Sequence, residues 1–274
     1  MPEGGRGQPR PPSRARRAYH PGVSIVFAVA NQKGGVGKTT TVHSLGYALA
    51  ERGRQVLLVD LDPQACLTYS LGVRVEGQGR SLHDVFVHHV PVEEVLTKVG
   101  DLHLLPATID LAGAEIHLLA QAGREYALAS ALQPIRAGYD VVLIDCPPSL
   151  GILTIGGLTA ADSVLIPLQC ETLANRGVGQ LLETISDVRS FSNPRLAVAG
   201  VIATMVDART RLGHDVLASL RATYGLDVLQ PPVPRSVRVA EAPGYGRSVL
   251  EYAPLSSAAY AYRLLATVLD IRFH

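Results

Sequence analysis

The sequence predicts an α/β fold, a mainly parallel twisted sheet with helices on both faces. Three observations carry that expectation. Short apolar runs alternate with helix-like stretches, the pattern of parallel strands joined by crossover helices. The first run, residues 23–30 (VSIVFAVA), enters the glycine-rich turn Asn31-Gln32-Lys33-Gly34-Gly35-Val36-Gly37-Lys38-Thr39-Thr40, and a helix-like segment, residues 39–52, leaves it. Asp60, Asp62 and Asp145 close two further apolar runs, on the side of such a sheet where ligands gather.

In chain order, residues 1–20 are rich in Pro, Gly and Arg and read as a disordered tail. Residues 21–274 read as a single domain, and 274 residues at 47% hydrophobic suffice for a sizeable core. After the first helix, residues 55–62 (QVLLVDLD) form an unbroken apolar run, as in a strand buried on both faces. Residues 65–100 look helical and less regular. A strand is expected over 101–106, two helices over 111–137, and a buried strand over 140–145 (DVVLID), closed by Cys146-Pro147-Pro148. Strands over 163–169 and 196–205 flank a helix near 176–190. Helices near 210–224 and 256–269 complete the pattern.

Composition narrows the class. No apolar run reaches the roughly 18–20 residues needed to cross a bilayer, and no cleavage site follows residues 23–30. Cys66, Cys146 and Cys170 lack paired spacing, which predicts a reduced, cytoplasmic protein. The first twenty residues hold five arginines against Glu3, and outside them 20 basic residues face 23 acidic ones. Nucleic-acid binding by the body therefore requires a local patch rather than net charge. Of three lysines, Lys33, Lys38 and Lys98, two lie in the turn, where a compact ammonium suits a phosphate.

The turn has the chemistry of a phosphate cradle. Glycines let successive N–H groups converge on one anion, and the following helix adds its own free N–H groups and positive dipole end. Lys38 supplies a charge for the terminal phosphates, and the Thr39 hydroxyl a hard oxygen for Mg²⁺. Asp145, at the end of a hydrophobic strand, suits a carboxylate that holds Mg²⁺ directly or through water. Asp60 and Asp62 are two apart, so both are expected on one face of the strand end, with one free to orient an attacking water.

The turn has Gln32 where the general phosphate loop wants Gly, and it gains Lys33, the form that marks the deviant Walker A ATPases. Together with VLLVDLDPQ, DVVLIDCPPSLG, SVLIPLQCE, TMVDART and PRSVRVAEAPGYG, it resembles the ParA/Soj-type partitioning ATPases, relatives of MinD, over most of residues 22–270. The resemblance implies a P-loop NTPase fold, slow ATP hydrolysis with Mg²⁺, and a homodimer when ATP is bound. It implies that residues 34–40 (Gly34, Gly35, Val36, Gly37, Lys38, Thr39 and Thr40) hold ATP and that Lys33 reaches the partner's phosphates. Asp62 would position the water and, with Thr39 and Asp145, support the metal. Met205 and Pro234 would border the adenine, and Arg209 and Arg238 would contact duplex DNA without sequence preference. A ParB-like protein would stimulate hydrolysis, with chromosome, plasmid or another body as cargo, in a bacterial cytoplasm at the nucleoid. Ser236 stands where the family has Asn, and Asn175-Arg176 where it tends to have Leu-Glu.

Four rivals share parts of this pattern. A MinD-like membrane-positioning ATPase needs a cationic amphipathic C-terminal helix, whereas residues 259–274 (AYAYRLLATVLDIRFH) read as a helix packed on the domain. An iron–sulfur carrier needs paired cysteines. A ligase of the dethiobiotin synthetase type should lack the TMVDART and VRVAEAP segments. A nucleotide-binding scaffold that never hydrolyses ATP should not need Lys33, Thr39 and Asp62 intact. The histidines, His88-His89 included, show no metal spacing and read as solvated surface.

Overall fold

The apolar runs become strands because both their faces are covered. A computed structural model describes residues 24–75, 80–171, 174–207 and 211–273. The predicted tail, residues 1–20, and Arg209 lie outside them. The strands are β1 (Ile25–Val29), β2 (Val56–Asp60), β3 (Thr97–Val99), β4 (Leu102–Leu105), β5 (Val141–Asp145), β6 (Ser163–Gln169), β7 (Ala197–Thr204) and β8 (Val228–Leu229). They form one sheet in the order β3-β4-β2-β5-β1-β6-β7-β8. All neighbours run parallel except β3, which pairs antiparallel with β4 at the edge.

The helices are α1 (Lys38–Ala50), α2 (Cys66–Ser70), α3 (Leu82–His88), α4 (Leu111–Leu119), α5 (Ala127–Leu132) and α6 (Ile152–Ala160), then α7 (Ala174–Phe191), α8 (Arg211–Tyr224), α9 (Val237–Glu241), α10 (Val249–Tyr252) and α11 (Ser257–Phe273). Alternate strand residues feed two separate cores, as a period of two dictates. Val26 and Ala28 of β1, with Leu57 and Val59 of β2, pack under α3 to α8. Phe27 and Val29, with Leu58, pack under α1, α10 and α11. The C-terminal helix α11 buries Ala258, Tyr262, Leu265 and Leu269 against the domain, as its few cations predict. Among the described residues, no helix is long and apolar enough to cross a membrane.

Three elements differ from the expectation. Among the described residues of 65–100 stand two short helices, a 3-10 turn at Val92–Glu94 and the edge strand β3, rather than a mostly helical stretch. The two-residue strand β8 is too short to show a period. Helix α6 carries no amphipathic signature because it is buried nearly all round, and a helix without a polar face has no periodic stripe to read. Its Gly157 fits under the sheet because a Cβ there would lie 3.0 Å from Cys146 Sγ and 3.2 Å from Leu61 Cδ2.

Candidate active site

At the end of β1 the chain turns at once into the glycine loop, and α1 starts at Lys38. Gly35 and Gly37 have φ of +72° and +86°, backbone that residues with a Cβ adopt only at a cost of roughly 1–2 kcal/mol. A Cβ on Gly34 or Gly35 would meet no atom within 4 Å, so the crest of the loop borders open space. The loop is braced from its neighbours. Thr204 Oγ1, at the end of β7, donates to the Val36 carbonyl at 2.8 Å. Asn31 Nδ2 donates to the Pro167 carbonyl at 2.8 Å, and Asn31 Oδ1 accepts from the Lys33 amide at 3.0 Å. Lys38 is buried, and its ammonium donates to the Lys33 carbonyl at 3.2 Å. Burial lowers its pKa against the opposing charges of Asp145, Cys146 and Asp62.

Asp145 ends β5 in register with Val29 on one side and Asp60 on the other, so the carboxylate stands directly beside the root of the loop. Neither of its buried oxygens receives a hydrogen bond of normal geometry, although the Thr39 hydroxyl lies near enough to act on the carboxylate. Burial raises its carboxyl well above the usual range, the neighbouring Asp60 adds to this, and the Thr39 hydroxyl and Lys38 oppose it. A buried carboxylate without such a bond is costly unless a cation compensates it. Asp145, the Thr39 hydroxyl and Asp62 are hard oxygen donors, the set that Mg²⁺ takes.

The two strand-end acids separate, contrary to the expectation that both share one face. β2 stops at Asp60, and Asp62 lies in the turn that follows. Asp60 is fully buried and already engaged. Its Oδ2 accepts from the Thr68 amide at 2.8 Å and the Thr68 hydroxyl at 2.7 Å, and its Oδ1 accepts from the Asp62 amide at 3.3 Å. Burial raises Asp60 to about 6 against those hydrogen bonds. Asp62, 9% exposed, accepts one bond from the Gln64 amide at 2.9 Å and is left as the carboxylate able to meet a ligand.

On the other flank, Met205 follows β7 with φ +52°. Its Cε would lie 3.9 Å from a Cβ on Gly37. Val206 bridges Pro234, and the Arg235 amide donates to the Val206 carbonyl at 3.1 Å. Met205 therefore stands beside the loop, and Pro234 pairs with the residue that follows it. Lys33 is half-exposed and ion-paired with Glu171. Arg238, on α9, is 60% exposed and donates to Glu241 Oε2 at 3.0 Å, which also accepts from the Tyr252 hydroxyl at 3.1 Å.

Sequence reasoning missed Thr204, Thr68, Glu171 and His43. His43 lies one turn beyond Thr39 on α1, at a cavity of about 20 Å³ lined also by Ser70, Val239, Arg247 and Ser248. Its Nδ1 is 3.1 Å from Ser70 Oγ, whose own proton goes to the Leu67 carbonyl at 2.8 Å. His43 Nδ1 is thus the donor, and Nε2 is a buried acceptor without a partner. Burial lowers this imidazole to about 4.

Residues 24–198 match the model of the AAA domain family. The chain is 45% identical to the sporulation initiation inhibitor protein Soj of Bacillus subtilis, over 88% of this chain and 96% of that protein. It is 48% identical to the chromosome-partitioning ATPase Soj of Thermus thermophilus, over 88% and 93% respectively. Its fold matches, with a TM-score of 0.81 and 52% identity, a Mycobacterium smegmatis protein solved with an ATP analogue and magnesium under the name cobyrinic acid a,c-diamide synthase. That match covers 90% of this chain and 95% of the other. Identity at this level across nearly the whole of two Soj proteins fixes the family, and the chain belongs to the ParA/Soj partitioning ATPases.

Proposed function

We propose that this protein binds and slowly hydrolyses ATP with Mg²⁺, dimerises face to face when ATP is bound, and in that state holds duplex DNA without sequence preference. With a ParB-like activating partner it segregates or positions a chromosome, plasmid or other cargo at the bacterial nucleoid. The observation that carries the nucleotide part is Asp145, a buried carboxylate with two unpaired oxygens beside the phosphate-type loop. Mg²⁺, when bound, offsets the charge that develops on the phosphates.

The chain's own residues divide the work. Residues 34–40 cradle the phosphates, Lys38 contacts them from inside the loop, and Thr39 and Asp145 hold the metal with Asp62. Asp62 also orients the attacking water, since Asp60 is occupied by Thr68. Met205 and Pro234 border the adenine. Lys33 leaves Glu171 and reaches the partner's phosphates, which its place on the open crest of the loop permits. Arg238, exposed on α9, and Arg209 touch DNA. A few arginines per subunit neutralise few phosphates, so a monomer grips weakly. Pairing two subunits doubles the contacts and raises affinity steeply, which makes DNA binding follow the nucleotide.

The name of the Mycobacterium smegmatis protein favours a second reading, ATP-dependent amide formation. The thiols speak against a glutamine-splitting version of it. Burial raises the pKa of Cys66, Cys146 and Cys170, whereas a nucleophilic cysteine needs it lowered. A membrane role is opposed by α11, whose apolar face is already packed on the domain.

Light scattering of Asp62→Ala with saturating Mg-ATP separates these readings. A stable dimer retained on non-specific DNA, and a monomer with ADP, is the expected result. A monomer under both conditions overturns the proposal and leaves a bare nucleotide pocket of the ligase kind.

A further inference from the structure

On an ideal helix, His83 and His88 stand five residues apart and point to different sides. The fold brings them together. His88 is the last residue of α3, and His89 leaves the helix with φ +54°. The His83 and His88 rings meet edge to face with centroids 5.2 Å apart. One ring nitrogen of each and one carboxylate oxygen of Asp84 lie within 4.8 Å of one another. Among the described residues, no other group of three His, Cys, Asp or Glu side chains does so.

We propose that His83, Asp84 and His88 form a binding site for a divalent transition-metal ion, with Zn²⁺ as its best fit. Two imidazoles and one carboxylate suit zinc and its neighbours and discriminate against Mg²⁺ and Ca²⁺, which prefer oxygen throughout. With bonds of about 2.0–2.1 Å, tetrahedral donors stand about 3.4 Å apart. The trio must therefore close by up to about 1.4 Å. The His88 ring is exposed, so rotation about its side-chain bonds supplies that movement without disturbing the core. Three protein donors leave a coordination position for water, as in open zinc sites.

Asp84 is already oriented for the role. Its Oδ2 accepts from the Ser81 amide at 2.8 Å in the capping box that starts α3, and an ionised carboxylate keeps further lone pairs for an ion beside that one bond. Such an outer hydrogen bond fixes a ligand's direction and strengthens the site. Ser81 Oγ stands 3.4 Å from Thr108 Oγ1, ahead of α4, so the bracing reaches a second element. His83 belongs to the first turn and His88 to the last. An ion would staple both ends of α3, and because it binds only the folded arrangement it would raise the unfolding temperature.

The test uses the full chain with any affinity tag removed and the glycine loop saturated with Mg-ATP. Calorimetric titration with zinc chloride should show one ion per chain, unaffected by millimolar-scale excess Mg²⁺, with a concentration-dependent rise in Tm. His83→Ala and His88→Ala should each weaken binding at least tenfold, and the double variant should lose the Tm response while keeping the wild-type circular dichroism spectrum. Because His88 is exposed, its variant separates lost ligation from lost folding. No stoichiometric zinc binding to the wild type overturns the proposal. So does equal binding by the double variant, which would send the ion to the thiols or the nucleotide loop, and so does displacement by Mg²⁺.

Discussion

His43 offers a stability measurement whose size follows from its burial. The ring is held neutral, with Nδ1–H given to Ser70 and Nε2 without a partner, and its pKa falls from 6.5 to about 4. Below pH 6.5 the unfolded chain takes a proton on this ring, and the folded chain does not until about pH 4. The unfolded state binds more protons in that window, so stability falls as pH falls through it. At about 1.4 kcal/mol for each pH unit, the loss reaches about 3 kcal/mol. Urea unfolding of the nucleotide-free protein between pH 4 and 7 should be compared with His43→Leu. Replacing the ring removes the bond to Ser70, which lowers the whole curve by an amount that does not vary with pH. Groups such as Asp60, which titrate in the same range, contribute equally to both proteins and cancel in the difference. The wild type should lose about 3 kcal/mol more than the variant on acidification. Parallel curves would refute the claim that this ring is buried neutral.

Three further substitutions read out other parts of the site. Asp145→Asn should have opposite effects with and without ligand: it removes a costly buried carboxyl, raising the Tm of the nucleotide-free protein, and it weakens Mg-dependent ATP binding, measured by fluorescent-nucleotide titration with and without EDTA. A lower Tm would mean that the carboxylate has partners after all. Thr204→Val leaves the Val36 carbonyl without its donor, at a cost of about 1–3 kcal/mol. Thermal stability and nucleotide affinity should both fall, and an unchanged affinity would show that the brace does not shape the loop. Arg238→Glu should lower DNA affinity in the ATP state and reduce the dependence of log affinity on log salt by about one for each phosphate that is no longer neutralised. ATP affinity should stay as in the wild type, and an unchanged salt slope would move the DNA surface elsewhere.

What could be read from the sequence, and what could not, follows from the range over which each signal acts. The glycine loop was legible because its requirements lie within ten consecutive residues, between a strand and a helix. The central strands were legible because burial on both faces makes them continuously apolar. Helix α6 escaped for the same physical reason, since a helix buried all round loses its stripe. The acids show the limit most clearly. Asp60 and Asp62 look equivalent in spacing alone, and the bonds from Thr68, eight residues on, engage Asp60 while Asp62 accepts only from the Gln64 amide. Thr204 braces Val36 from 168 positions away, and Glu171 holds Lys33 from 138. No local pattern encodes either. The glycine loop and the strand-end acids therefore stand out in the sequence, whereas the contacts that hold them, from Thr68, Thr204 and Glu171, come only with the fold. Asp145 joins the two levels: its type and strand-end position follow from sequence, but its register between Val29 and Asp60 and its unpaired oxygens make it the place that calls for a cation.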